Sequence, residues 1–190
     1  MMRRATITVV TLALAGAIAA PSFADETTSS LPLLVSGDVA SECRLSPAAE
    51  GPGDANVRFS SVAGGSQVTV AMFVDPTTAR TRSSTGAVQF QITCTGPHTL
   101  KVTSGSGGMV NGTTSVTGQG FTNRADYTLA AQWNGASRSV TTSGAAASLD
   151  LSQTNGAQGA LTVTVSIPPG QGPLVAGAYQ DTITVDLSAN

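Results

Sequence analysis

Histidine and lysine are nearly absent from this 190-residue chain, with His98 and Lys101 the single examples of each. One histidine leaves the chain poor in conventional catalytic bases, and His98 follows Gly96-Pro97 in what reads as an exposed turn. One lysine and a scatter of arginines exclude the clustered basic face that a polyanion requires, so nucleic acid is not expected as a partner. Charged residues make up 11% of the chain and aromatic residues 4%, which leaves few groups for acid–base or stacking chemistry. The two cysteines, Cys43 and Cys94, are too few for a structural zinc site even with His98 added, so no metal and no cofactor are expected.

Other catalytic constellations are missing too. Serine is abundant, yet no Gly-x-Ser-x-Gly elbow lies between a strand and a helix. Asp38 with Glu42, and Asp181 with Asp186, read as solvated strand carboxylates rather than a glycosidase pair. Trp133 reads as a core residue in preference to a sugar-stacking platform, since an aromatic at a strand end commonly buries its ring. Gly105-Ser106-Gly107-Gly108 has no following Lys-Ser/Thr and opens no helix, so it reads as a strand connection and not a phosphate cradle. The expectation is a protein that is not an enzyme.

What is present begins with Arg3-Arg4, a charge-free and mainly apolar run from Ala5 to Ala20, and a small-residue exit at Ser22 and Ala24. That is the pattern of a secretory signal peptide, cut after Ala24. A run of 16 residues is short for a hydrocarbon core of ~30 Å, and no second such run follows, so the mature chain is expected to carry no transmembrane segment. Removing the leader's two arginines leaves 7 basic against 11 acidic residues, a formal charge of −4. In an exported chain two cysteines most simply form one disulfide.

The mature residues alternate apolar and polar in short runs broken by Gly, Ser, Asn and Pro, and no helical period stands out. Nine strands are expected: 35–45, 56–60, 67–74, 87–95, 99–104, 126–133, 149–153, 160–167 and 179–188. Loops of turn chemistry are expected at 46–54, 104–120, 134–147 and 168–177. The fold class is therefore all-β, an immunoglobulin-like β-sandwich.

The two ends carry the most information. Leu31, Leu33, Val35, Gly37 and Val39 share one face of an extended segment ahead of Cys43. At the other end Tyr179, Asp181, Ile183, Val185 and Leu187 alternate along one face, and little chain follows them. If the latter run is a penultimate strand, the sandwich is incomplete, missing its last strand, and a hydrophobic groove lies open for a strand from elsewhere.

These residues carry a resemblance. Val35, Gly37, Val39 and Cys43, then Phe59, then Gln91-Ile92-Thr93-Cys94-Thr95, Ala125-Asp126-Tyr127-Thr128-Leu129 and the ending Ala176-Gly177-Ala178-Tyr179-Gln180-Asp181-Thr182-Ile183-Thr184-Val185 together resemble the chaperone-usher pilins, most closely the spore coat protein U-like branch. The resemblance runs from about Leu33 to Asn190. It implies a structural subunit of a surface fimbria, held by a periplasmic chaperone and polymerised with sister subunits at an outer-membrane usher by donor-strand exchange. Residues 25–41 would be the N-terminal extension, with Leu31, Leu33, Val35, Gly37 and Val39 as donor residues and Gly37 where the groove is shallow. Residues 42–190 would form the body, with Tyr179, Ile183, Val185 and Leu187 along the chaperone-binding edge. Such a protein passes through the periplasm to the cell surface and serves adhesion or biofilm formation. The chain departs from the family in its wide cysteine spacing, in an unassigned insertion at 68–82 and in lacking a terminal aromatic residue. The rival reading is a self-complemented monomer, an exported binding module or tip adhesin whose own leader completes its sandwich.

Overall fold

The computed structural model describes residues 34–63, 65–112 and 120–190. The chain divides into two units, Met1–Gly37 and Asp38–Asn190. In the first, the described residues 34–37 form no strand, and Leu34 and Val35 are exposed. Leu31 and Leu33 lie outside the described residues.

The second unit is built from antiparallel strands, as the alternating pattern requires. Its first sheet runs β1 (Cys43–Leu45), β5 (Ser84–Cys94), β12 (Ala157–Ile167), β9 (Thr128–Trp133), β10 (Ala136–Thr141), with β2 (Ala49–Gly53) also on β5. The second sheet runs β11 (Ala147–Gln153), β6 (His98–Ser104), β13 (Ile183–Ala189). Two short pairs stand apart: β3 (Val57–Val62) with β4 (Gly65–Val70), and β7 (Met109–Val110) with β8 (Arg124–Ala125). No helix is present among the described residues, and the architecture is the immunoglobulin-like sandwich that the pattern predicts.

Register explains the core. Cross-strand pairs share a face of the sheet, so Val88↔Val163 and Phe90↔Leu161 point the same way, together with Ile92 and Cys94 two and four residues on. On the facing sheet Leu100, Val102, Leu149 and Leu151 do the same. Ile92, Leu100, Leu129 and Leu161 are fully buried between the sheets, each worth about 1.5–3 kcal/mol of apolar transfer. Trp133 joins them as expected, donating Nε1–H to His98 Nε2 at 3.0 Å.

That bond corrects the reading of His98. The ring is wholly buried rather than in an exposed turn, because it opens β6 on the inward face. Its Nδ1 lies 3.0 Å from Gly96 O, which fixes the proton on Nδ1 and leaves Nε2 to accept from the indole.

Three further expectations change. The first strand is short: only Cys43–Leu45 pairs with β5, while Val39 is exposed. The 46–54 loop contains β2, whose register shifts between Glu50 and Gly53, so that Pro52, which has no N–H to donate, sits where the ladder is already interrupted. The 134–147 loop contains β10, joined to β9 through Asn134 and Gly135 with φ of 45° and 78°. That two-residue turn twists with the flanking strands, and the Asn-Gly pair is its sequence signal.

Cys43 and Cys94 are bonded and face each other across the β1–β5 ladder. Beside them Thr95 clamps the chain upstream. Its N–H donates to Glu42 O (2.9 Å), its hydroxyl donates to Ala40 O (2.7 Å) and accepts from Glu42 N–H (2.9 Å). The bridge spans a sequence separation of 51. Loop-closure entropy predicts that Cys43→Ser lowers unfolding free energy by about 4 kcal/mol. Urea denaturation without reductant measures this, and an unshifted midpoint would show that the bridge adds no constraint.

Candidate functional site

The inward rows of the two sheets are not buried evenly. Around Ile92, Leu100 and Trp133 they are sealed, whereas Val88, Phe90 and Val165 on the first sheet and Ile183, Val185 and Leu187 on β13 remain partly exposed. Between these half-covered rows runs a groove of about 1250 Å³. It is floored by Val88, Phe90, Val163, Val165 and Ile167 and walled by residues 177–185, by 45–48 and by β4.

The wall at 177–185 has an open backbone edge. Gly105 N–H donates to Thr182 O and Asn190 N–H to Pro97 O, both on the β6 side. Because N–H and C=O groups alternate sides along a strand, even-numbered residues of β13 address β6 and Ile183 and Val185 address the opposite side. No strand among the described residues pairs with that side.

Asp181 holds the groove's polar end. Its Oδ2 accepts from Ser104 Oγ (2.6 Å), Tyr127 Oη (2.8 Å) and Gly108 N–H (3.2 Å), and its Oδ1 from Ser106 N–H (2.8 Å) and Thr182 N–H (2.7 Å). Arg124 ties the same 104–108 turn from behind, donating to Ser106 O (2.8 Å) and pairing with Asp126 at 3.0 Å. The turn passes so close to 144–145 that a Cβ on Gly107, at φ 61°, would fall 1.7 Å from Ala145 O. Burial pushes the Asp181 carboxyl up, but the donors from Ser104, Ser106, Tyr127 and Gly108 outweigh it and hold the group below the usual carboxylate value. Burial likewise pushes the Tyr127 hydroxyl well above its usual value.

Asp181 is therefore not the solvated strand carboxylate expected beside Asp186. It precedes β13, where the tertiary approach of 104–108 surrounds it with donors, whereas Asp186 is exposed opposite Lys101 on the outer face. Tyr179 also lies before the strand. Its ring sits 5.4 Å from Phe73 and its hydroxyl is 2.9 Å from Val175 O and 3.1 Å from Thr122 O, anchoring this end of the wall. Ile183, Val185 and Leu187 share the inward face of β13 as expected. Val35 and Val39 are exposed at 83% and 81%.

The strands expected at 56–60 and 67–74 pair as the β3–β4 hairpin, but its place as a wall of the groove was not foreseen. The hairpin's signal is local: Val57 and Phe59, then Val68 and Val70, alternate on either side of a Gly-Gly pair. Cys43, Cys94 and His98 offer donor atoms within 4.8 Å of one another, but the sulfurs are bonded together and both ring nitrogens are engaged, so this set does not fit a metal.

Residues 29–186 match the family described as the Spore Coat Protein U domain. No curated protein matches the chain.

The depressed Asp181 carboxyl stabilises the fold above its unfolded value of about 3.8, and that stability is lost as pH falls through the lower folded value. Asp181→Asn should cost roughly 2 kcal/mol at pH 7 and flatten the stability profile on the acid side. Denaturant titrations from pH 7 to pH 2 will show whether the two profiles converge at low pH; parallel profiles would contradict the role.

Proposed function

The chain belongs to the Spore Coat Protein U family of chaperone-usher fimbrial subunit-like proteins, and from that premise we propose that it is a structural subunit of a surface fimbria assembled by donor-strand exchange. The family is one of structural pilus subunits and implies an exported protein of the cell surface. No helix among the described residues is long and apolar enough to cross a membrane.

The observation that carries the finer reading is the groove: an apolar floor left half-covered beside a strand whose outer edge pairs with no strand among the described residues. A sheet edge with its inner face exposed is a template for strand addition. On this reading residues 1–24 are removed on export and 42–190 are a sandwich short of one strand. Residues 25–41 carry the strand that completes a neighbour, with Leu31, Leu33, Val35, Gly37 and Val39 facing the floor. Before assembly a periplasmic chaperone would cover the same floor and the β13 edge, along Tyr179, Ile183, Val185 and Leu187, and an outer-membrane usher would be where one occupant replaces the other. The Thr95 clamp and the disulfide would fix where the donor segment leaves the body.

Purified without a chaperone, the mature chain should form ladders that resist mild denaturant on gels, and deletion of 25–39 should abolish them. A stable, ligand-binding monomer both with and without that segment would instead establish a self-complemented module and overturn this reading.

A further inference from the structure

We propose that β4 is a second docking edge: a leader from another copy lying in the groove pairs with β13 on one side and with β4 on the other, drawing the β3–β4 hairpin into the β11–β6–β13 sheet. This rests on the reading above and adds to it a role for the hairpin.

Among the described residues the hairpin joins neither sheet, and β4 pairs only with β3. Ala71 N–H donates to Asn56 O at 2.7 Å, so the odd-numbered residues of β4 address β3. By alternation Ser66, Val68 and Val70 turn their N–H and C=O groups outward. All six residues of β4 line the groove that Ile183 and Val185 of β13 also line. Two open strand edges thus border one space.

The side chains agree. Val62 and Val68 are 47% and 39% exposed and line the same groove, so the hairpin keeps apolar surface that its own fold does not cover. Among the described residues the hairpin's hydrogen bonds to the body come from its root. Asp54 N–H donates to Thr85 O (2.8 Å), Asp54 Oδ2 accepts from Thr85 N–H (2.6 Å), and Asn56 Nδ2 donates to Ser84 Oγ (2.9 Å). Val57 packs onto β5 where Gly86 leaves room, since a Cβ there would lie 2.5 Å from Val57 Cγ1. An element held at its root and open along its length can align with an arriving strand.

The occupant is the leader of a second copy. Its apolar residues recur at every second position, matching a floor on one side only, and Leu34, Val35 and Val39 are more than 80% exposed. The chain is clamped to the body at Ala40–Glu42. Main-chain bonds on both sides hold an added strand more firmly than bonds on one.

Hydrogen exchange read by mass spectrometry on the mature full chain, as monomer and as ladder, tests this. Segments covering 66–70 and 183–187 should both slow at least tenfold in the ladder. Slowing at 183–187 alone would overturn the second edge and leave donor-strand exchange standing. Ladders with neither segment slowed, or no ladders, would overturn both. Val68→Pro removes one outward N–H without touching the β3 ladder, and should slow ladder formation several-fold with the monomer's thermal midpoint unchanged. Val68→Ala, which keeps the N–H, should retain the 66–70 protection. Ladder formation by Val68→Pro at the parent rate would sink the proposal.

Discussion

A sandwich folds because two apolar sheet faces cover each other, and in this protein that covering is complete at one end of the core and incomplete along β13. Leu100 and Val102, in the middle strand of the second sheet, are sealed. Ile183 and Val185, on the neighbouring edge strand, have the same chemistry and the same inward direction but remain part-exposed. Edge position alone does not decide this, since Leu149 and Leu151 on the other edge strand, β11, are buried with β10 alongside; among the described residues the outer side of β13 has no strand paired to it. The groove, the half-covered floor and the open edge all follow from that single asymmetry.

The molecule nevertheless holds its shape around the groove, and the devices that do so are polar or covalent. The disulfide ties β1 to β5 at one end. At the other, Asp181 collects five donors from three chain segments, and Arg124 closes the 104–108 turn from the opposite side. Groups so far apart in the chain gain strength from a partly buried setting, where unpaired donors would be costly. Tied ends with an uncovered middle are what the proposed strand occupant would require.

The elements that positioned this site differ in how openly the residues announce them. β6, β12 and β13 alternate apolar and polar side chains, and the pattern alone locates them within a few residues. β10, Ala-Ser-Arg-Ser-Val-Thr, carries almost no apolar row because it is a partly exposed edge strand, so its marker is the preceding Asn-Gly turn rather than its own composition. β2 holds two glycines and a proline and reads as loop; pairing with β5 makes it a strand. His98 follows Gly-Pro and reads as a turn residue, yet Trp133, 35 positions away, supplies the donor that satisfies it in the core.

The sequence by itself determined the all-β class, the inward row of β13, the burial of Trp133 and the pairing of the two cysteines. Each depends on a side-chain period of two or on a count of thiols, both local properties of the chain. Only the tertiary structure decided that β13 borders an unfilled groove, that β4 faces it, and that Asp181 is a hub instead of a solvated carboxylate. These outcomes depend on which distant segments approach one another. Hydrogen-bonding partners supplied across such distances leave no trace in local pattern.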